Sequence, residues 1–297
     1  FIISTVVIIP GLISLFLFGL KPSIDFTGGS IYKFRVQSTN PASRRAEFRV
    51  GEGDVKNVLG PSVKVHRVIK EGNNQFIVRT DALEQKKKDS LHAKLEKKFG
   101  KTTEISFETV GATIGKETET NALTAVVIAS IAITLYIAFA FRKVSLPVSS
   151  WKYGVCAIVA LLHDLLVVIG VFSILGYLFN VEVDSLFITA LLTVMGFSVH
   201  DTIVVFDRIR ENLRRSSGSF PQIVNDSILQ TLDRSLNTSL TVLLVLFALL
   251  LFGGESIRWF VVALLIGVAS GTYSSIFNAA PILVLWQEIV EKRKNKR

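Results

Sequence analysis

Long apolar runs dominate this chain of 297 residues, and one long polar segment interrupts them. A hydrocarbon core of about 30 Å needs roughly 20 mostly apolar helical residues to cross it. Six stretches reach that length, and each is predicted to be a membrane-spanning helix: residues 1–20, 121–141, 153–176, 183–206, 235–252 and 257–287. The pattern therefore predicts an α-helical polytopic membrane protein.

The polar segment, residues 21–120, has the pattern of a separate α+β domain. Apolar and polar residues alternate over four short stretches, which is typical of half-buried strands, and two further stretches have helical spacing. The sequence Gly72-Asn73-Asn74 favours a hairpin between the second and third strands. The expected order is β-α-β-β-α-β, as in ferredoxin-like folds, with strands at 30–37, 63–69, 75–80 and 104–110 and helices at 54–59 and 83–99.

Charge is concentrated in the same segment. Residues 21–120 contain 19 Lys or Arg and 13 Asp or Glu, whereas the rest of the chain contains 14 and 11. No groove-reading or base-stacking motif accompanies the net charge of +9, so nucleic acid is not an expected partner. Cys156 is the only cysteine, which excludes an internal disulfide and a metal site built on several cysteines.

Basic residues next to the predicted spans indicate an orientation. They cluster between spans two and three, between spans four and five, and in the tail, whereas the links 177–182 and 253–258 hold only Arg258. The positive-inside rule then places both termini in the cytoplasm of a bacterial cell, with residues 21–120 outside the inner membrane. Residues 121–297 hold five further spans, cytoplasmic loops and a basic tail. Because the chain begins at Phe1 inside an apolar run, we expect natural sequence to precede it.

Ionisable side chains within the spans are the candidate functional residues, because charge is costly in a bilayer and normally acts inside a helix bundle. His163 and Asp164 lie near the middle of the third span, and His200, Asp201 and Thr202 lie in the cytoplasmic half of the fourth. Adjacent helical residues point about 100° apart. We therefore expect the two histidines to have supporting roles beside the carboxylates.

Arg234 opens the fifth span, and its helical face continues with Asn237, Thr238 and Thr241. We expect Asp201 to alternate between pairing with Arg234 and taking up a proton, which would couple its charge to helix packing. Asp164 is a second candidate for this ion coupling, and Asn237 and Thr238 are supporting polar residues. The alternative interpretation is that all these groups only hydrogen-bond one helix to another.

Two enzyme-like motifs are rejected. Gly111–Lys116 is one residue short of a phosphate loop, and Glu117 stands where a hydroxyl should bind magnesium. Asp164 and Asp201 are expected at different depths, which disfavours an aspartyl-protease pair sharing one proton. No catalytic residue, metal or cofactor is therefore expected, and the chain is not predicted to be an enzyme.

In the sixth span, Gly267 and Gly271 form a GxxxG motif that Ser274, Ser275 and Asn278 continue on one side. Such a small-residue face permits close helix contact. We expect packing within this chain.

Several short motifs, taken in chain order, resemble those of one family. They are Asp25-Phe26-Thr27-Gly28-Gly29 after the first span, Val110-Gly-Ala-Thr-Ile-Gly115 before the second and His163-Asp164 in the third. Two more follow, Asp201-Thr-Ile-Val-Val-Phe-Asp207-Arg208-Ile-Arg-Glu-Asn212 at the end of the fourth span and Arg234-Ser-Leu-Asn-Thr-Ser239 in the fifth. Nearly the whole chain thus resembles the SecF proteins of the SecD/SecF family, membrane subunits of bacterial protein export related to proton-driven RND exporters. The resemblance implies a six-helix RND-like bundle with one exported ferredoxin-like domain.

The same resemblance ties Asp201 and Arg234 to ion movement. Two positions depart from the usual family pattern, His200 where Asn is usual and Ala112 where Pro is usual. His200 adds a titratable group beside Asp201. Asp207 and Arg208 fall just past the span, where salt-bridged anchoring is favoured over transport.

The expected function is that of an auxiliary subunit of the Sec export machinery, driven by a proton or sodium gradient. Its expected partners are a SecD-like subunit, the Sec channel, the translocating preprotein and the lipid bilayer. Two alternatives stay open. One is an RND-like exporter of lipids or small amphiphiles, which would normally need a second six-span repeat, and the other is a structural scaffold of the translocon.

Overall fold

The computed structural model describes residues 1–37, 50–72, 74–141, 149–215 and 217–294. Its elements follow in this order: α1 (Ile2–Phe18), α2 (Ile24–Thr27), β1 (Gly29–Val36), α3 (Glu52–Leu59), β2 (Val65–Glu71), β3 (Gln75–Thr80), α4 (Gln85–Phe99), β4 (Thr102–Val110), α5 (Ala112–Ala140), α6 (Ser150–Phe179), α7 (Ser185–Arg215), α8 (Phe220–Phe252), a 3-10 turn (Glu255–Ile257), α9 (Arg258–Ser274), a π-helical segment (Ser275–Ala279) and α10 (Ala280–Lys294).

Two compact units divide the chain. The helical unit consists of Phe1–Lys21 and Ala122–Arg297, and the sheet unit consists of Pro22–Asn121. The boundary after the sheet unit falls within α5, a continuous helix that begins nine residues before the predicted span at 121. The predicted polar segment, residues 21–120, ends one residue before this boundary, and the first turns of α5, which belong to the sheet unit, are polar.

The sheet unit is a four-stranded antiparallel sheet in the order β2-β3-β1-β4 with two main helices, which confirms the ferredoxin-like prediction. Alternation along the two central strands builds its core, since Phe34 of β1 lies opposite Phe76 of β3 and both are fully buried. Leu91 and Leu95, one turn apart on α4, join the same core. The short helix α2 was not predicted, and Asn73 of the predicted hairpin lies outside the described residues.

Among the described residues of the helical unit, five helical stretches are long and apolar enough to cross a membrane: α5, α6, α7, α8 and the run from Glu255 to Arg293. The chain is therefore a multi-pass membrane protein. The predicted first span is shorter than expected, because α1 has 17 residues and ends at Gly19, whose φ of 68° breaks the helix. It still completes a bundle of six, since Gly11 of α1 lies against Gly170 of α6 so closely that a Cβ on Gly11 would sit 2.9 Å from the Gly170 Cα.

Two helices extend well past the predicted spans. α7 continues to Arg215 rather than ending at 206, and α8 begins at Phe220 rather than 235. The apolar runs marked only the parts suited to lipid, whereas the polar ends remain helical. At α8 a local signal was present, since Ser219 and Gln222 form a capping box with Pro221 beside them. The basic residues Arg142 and Lys143 lie outside the described residues.

Candidate functional site

The helical unit encloses two carboxylates where α6, α7, α8 and α9 pack together. Asp164 of α6 is fully buried, and Asp201 of α7 is 4% exposed. A buried carboxylate that lacks hydrogen-bond donors destabilises a protein by several kcal/mol, so the groups around it decide its chemistry. In this unit those groups are mainly serine hydroxyls.

Asp164 accepts hydrogen bonds on both oxygens from two other helices. Ser270 of α9 donates to Oδ1 at 2.8 Å, and Ser274, one turn later, donates to Oδ2 at 2.6 Å. Ser198 of α7 donates to the same Oδ2 at 2.5 Å. Thr202, also buried, donates to the Ser198 carbonyl at 3.0 Å and so supports that turn of α7. Asp164 thus joins α6, α7 and α9 through three hydroxyl groups.

Asp201 has a looser set of partners. Ser235 of α8 donates to Oδ1 at 3.1 Å, and Ser275 makes a longer contact of 3.5 Å with Oδ2. Ser274 and Ser275 are therefore consecutive residues that contact two different carboxylates. They stand where α9 passes into the π-helical segment, and π-type turns often mark functional sites. The two carboxylates are thus linked through adjacent residues of one helical stretch.

Glycines on α9 make the close packing possible. A Cβ on Gly271 would lie 3.0 Å from the Ser198 Cβ, and one on Gly267 would lie 2.1 Å from a Val194 methyl group. The predicted GxxxG face is therefore used within the chain, between α9 and α7. By letting the two helices approach, it brings Ser198 within reach of Asp164.

His163 lies closer to its neighbour than the 100° rule suggested. Its Nδ1 is 3.0 Å from Oδ1 of Asp164. Its Nε2 is buried and has no hydrogen-bond partner among the described residues. His200, in contrast, is exposed on α7. The two His-Asp pairs of the sequence are thus structurally different.

Arg234 and Asp201 do not form the expected pair in this structure. Arg234, Asn237 and Thr238 do share one face of α8, but that face is exposed. The inward positions belong to Ser235, which contacts Asp201, and to Ser239, whose hydroxyl lies 2.5 Å from that of Thr272. A long cationic side chain is more stable at the surface, and the small serines fit the tight interface. The role of Arg234 in ion movement stays a prediction.

Below Asp201, α7 and α8 form a polar cleft. Arg208 donates to Gln230 of α8 at 2.7 Å and pairs with Glu211 at 2.7 Å. Asp207 pairs with Arg210, and Arg234 lines the same cleft. The hydrogen bond from Arg208 to Gln230 joins the polar ends of the two helices, whereas the two ion pairs lie within α7.

The Asp25–Gly29 motif has a structural explanation in the sheet unit. Gly28 and Gly29 have φ values of 70° and 120°, which favour glycine, and a Cβ on Gly29 would lie 2.8 Å from the Thr80 carbonyl. A Cβ on Gly115 would lie 2.7 Å from the Gly28 nitrogen. Gly115, the second glycine of the stretch that resembled a phosphate loop, therefore lets the first turn of α5 approach the turn between α2 and β1, next to Phe26.

The serine donors were the main omission of the sequence analysis. Ser198, Ser235 and Ser270 were not singled out, although they complete the carboxylate network. Their signal was available, since Ser270 and Ser274, like Ser235 and Ser239, are small polar residues at i and i+4 in apolar helices.

Comparison with known families identifies similar sequences over nearly the whole chain. A family model described as protein export membrane protein SecD/SecF, C-terminal, matches residues 90–289, and one described as the SecD/SecF GG motif matches residues 13–39. The chain is 49% identical to the protein translocase subunit SecF of Thermobaculum terrenum, over 97% of this chain and 91% of that relative. SecF of Anaerolinea thermophila is 46% identical over the same shares.

A solved structure is also similar. SecDF from Thermus thermophilus, described as a translocon-associated membrane protein, matches with a TM-score of 0.78 at 34% sequence identity. The match covers 96% of this chain and 37% of the SecDF chain, so this chain spans just over a third of that relative.

Proposed function

The chain belongs to the SecD/SecF family of protein-export membrane proteins, and on that premise we propose that it is a non-enzymatic auxiliary subunit of the Sec export machinery. It uses the proton or sodium gradient across the bacterial inner membrane to promote preprotein translocation and release on the outer face. The sheet unit then lies outside the cell and both termini lie inside, in agreement with the basic residues near the ends of α6, α7 and α10.

The buried carboxylate network is the observation that supports this proposal. Carboxylates inside a membrane that face the interior of a helix bundle mark ion and proton pathways. Burying a charged group in a bilayer is energetically costly, so such residues normally have a function. Asp164 and Asp201 are joined by hydroxyls to α7, α8 and α9. Uptake of a cation at either carboxylate changes the bonds that hold these helices. One charge crossing 100 mV releases about 2.3 kcal/mol, so a few charges per cycle suffice to move a domain.

A separate SecD-like subunit is the proposed membrane partner. In SecDF of Thermus thermophilus and of Bacillus subtilis, the part similar to this chain is about a third of a longer single chain. The apolar faces of α5 and α8, of which 6% and 11% of the spanning residues are buried within this chain, leave ample surface for such a partner. The Sec channel and the translocating preprotein complete the proposed assembly.

The test compares Asp201→Asn and Asp164→Asn with the wild type in inverted membrane vesicles that contain the complete complex. Completion of preprotein translocation is followed with and without an imposed ion gradient. We expect both variants to lose most of the gradient-dependent part, at least about tenfold, because the amide keeps the shape of the site and cannot ionise. The gradient-independent part should persist.

Asp226→Asn, at an exposed position of α8, is the matched control and should behave as the wild type. If both intramembrane variants retain full gradient dependence, ion cycling at these carboxylates is wrong and a scaffold role is favoured. If the variants instead accumulate small amphiphiles while export is unchanged, the exporter alternative is favoured.

A further inference from the structure

The environment of His163 differs from that of an ordinary packed histidine. Its side chain is 10% exposed, yet Nε2 is enclosed with no hydrogen-bond partner among the residues that the structure describes. Buried polar atoms are nearly always hydrogen-bonded, so an unsatisfied one requires an explanation. Leaving such an atom unsatisfied destabilises the folded protein, so the enclosed Nε2 points to a role beyond packing.

The other ring nitrogen contacts a carboxylate that already has a full set of donors. Oδ1 of Asp164 faces His163 and Ser270, and Oδ2 faces Ser198 and Ser274. An ionised carboxylate has about four acceptor sites, so this set satisfies it. A sodium ion would have to displace these donors. Hard cations also prefer shells of oxygen atoms, and an imidazole nitrogen occupies one position of this shell.

Other titratable groups near the pair lie on α7 and α9. Tyr273 of α9 lies with its ring centroid 6.2 Å from that of His163, and its hydroxyl is 3.4 Å from Ser4 of α1. Asp201 of α7 is reached through the consecutive residues Ser274 and Ser275. A proton on the pair therefore lies where α6, α7 and α9 meet. Nε2 of His163 gains a hydrogen-bond partner only when one of these helices shifts or water enters.

We propose that His163 and Asp164 together hold a transported proton, at a site separate from Asp201. The inference rests on the proposed function and names the ion at one of its two carboxylates. The pair takes up one proton from outside, which lies between Nδ1 of the imidazole and Oδ1 of the carboxyl, and release of that proton leaves a neutral imidazole beside an ionised carboxylate. His163 is thus a positioning and proton-sharing residue, and Asp164 is the carboxyl that links protonation to α7 and α9.

Two measurements test this on the complete complex in vesicles. The first is the pH dependence of gradient-driven export for the wild type, His163→Gln and His200→Gln. The second is the pH titration of the protonated carboxyl band in difference infrared spectra, assigned to Asp164 by its loss in Asp164→Asn. We expect His163→Gln to move the infrared midpoint by about one pH unit or more, a tenfold change in proton binding. His200→Gln, the matched loss of an exposed imidazole, should move it much less.

Ser270→Ala provides a second variant in case His163→Gln does not fold. It removes the hydroxyl that shares Oδ1 with His163, and it should also displace the Asp164 midpoint. Replacing sodium with choline should leave wild-type export unchanged.

Different results would contradict the shared proton and the proposed function. If thermal unfolding shows both variants folded and their infrared midpoints equal the wild-type value, the pair does not share a proton. A sodium requirement that disappears in Asp164→Asn would also overturn the inference. Wild-type export without any gradient dependence would contradict the proposed function alone, because the infrared titration does not depend on export.

Discussion

The two units of this chain place polar and apolar residues in opposite ways. The sheet unit buries Phe34, Phe76 and Leu95 and covers itself with charge, whereas the helical unit buries Asp164 and Ser274. The outer surface of the helical unit is formed by large apolar side chains, among them Phe16, Leu135 and Val245. Both arrangements follow from one rule, since each unit hides the groups that its surroundings cannot satisfy. Water excludes apolar surface, and lipid excludes unpaired polar groups.

The two units also differ in the partners of their buried ionisable side chains. In the sheet unit, the buried Lys88 ammonium donates to Glu104 at 2.8 Å and lies 3.1 Å from Asp89. Its charge is matched by carboxylates. In the helical unit, the recorded partners of Asp164 are three hydroxyls and one imidazole. Lys88 belongs to a structural ion pair, whereas Asp164 is surrounded by hydroxyls and an imidazole and has no Lys or Arg partner among its hydrogen bonds in the described residues.

The largest expected effect tests the opposite placement of apolar side chains in the two units. The same change, phenylalanine to alanine, is made once in each unit. Phe34→Ala should destabilise the sheet unit by about 3–5 kcal/mol, because it leaves a cavity in the core. Phe16→Ala on α1, where the ring is 94% exposed, should leave the stability of the helical unit nearly unchanged. Hydrogen exchange of the purified full chain in detergent measures both units at once. Equal losses would mean that Phe16 also packs against protein.

A smaller effect should follow from crowding the α7–α9 interface. Gly267→Ala places a methyl group on Val194, and overpacking of this kind costs about 1–3 kcal/mol. A second change, Val194→Ala, should restore part of the loss by making room. Gly196→Ala is the matched control, since its Cβ would meet nothing within 4 Å. Thermal unfolding in detergent compares these three variants with the wild type, and no rescue by Val194→Ala would contradict the proposed contact.

The smallest effect concerns the pH dependence of the sheet unit. The hydrogen bond to Glu104 raises the pKa of Lys88 above its usual value of 10.5. The pair therefore stabilises the fold fully below pH 10.5 and loses this contribution as the pH rises through the folded-state pKa. Because Glu104 is partly exposed, we expect at most about 1 kcal/mol. Denaturant midpoints of the sheet unit between pH 9 and 12 should fall more for the wild type than for Lys88→Met, and parallel curves would contradict this.

Residue patterns in the sequence were sufficient to predict features that depend on a single strand or helix. Alternation in β1 and β3 identified the strands, and the element order identified the ferredoxin-like fold. The apolar runs located the membrane-spanning parts, and α7 and α8 continue as helices past them, because polar turns remain helical beyond the bilayer. Asp164 and Asp201 were recognised because an aspartate in an apolar helix is unusual whatever surrounds it.

Partners across helices were decided only by tertiary packing. Sequence indicated that Arg234 shares a helical face with Asn237 and Thr238, but periodicity does not tell which face turns inward. The structure turned Ser235 and Ser239 inward instead, because small hydroxyls fit between helices that glycines bring close together. It likewise set Nδ1 of His163 against Asp164 and left Nε2 enclosed. The sequence alone therefore determined which groups are unusual in this chain. Only the packing of α6, α7, α8 and α9 decided which of them meet, because these contacts join residues as far apart in the chain as Asp164 and Ser274.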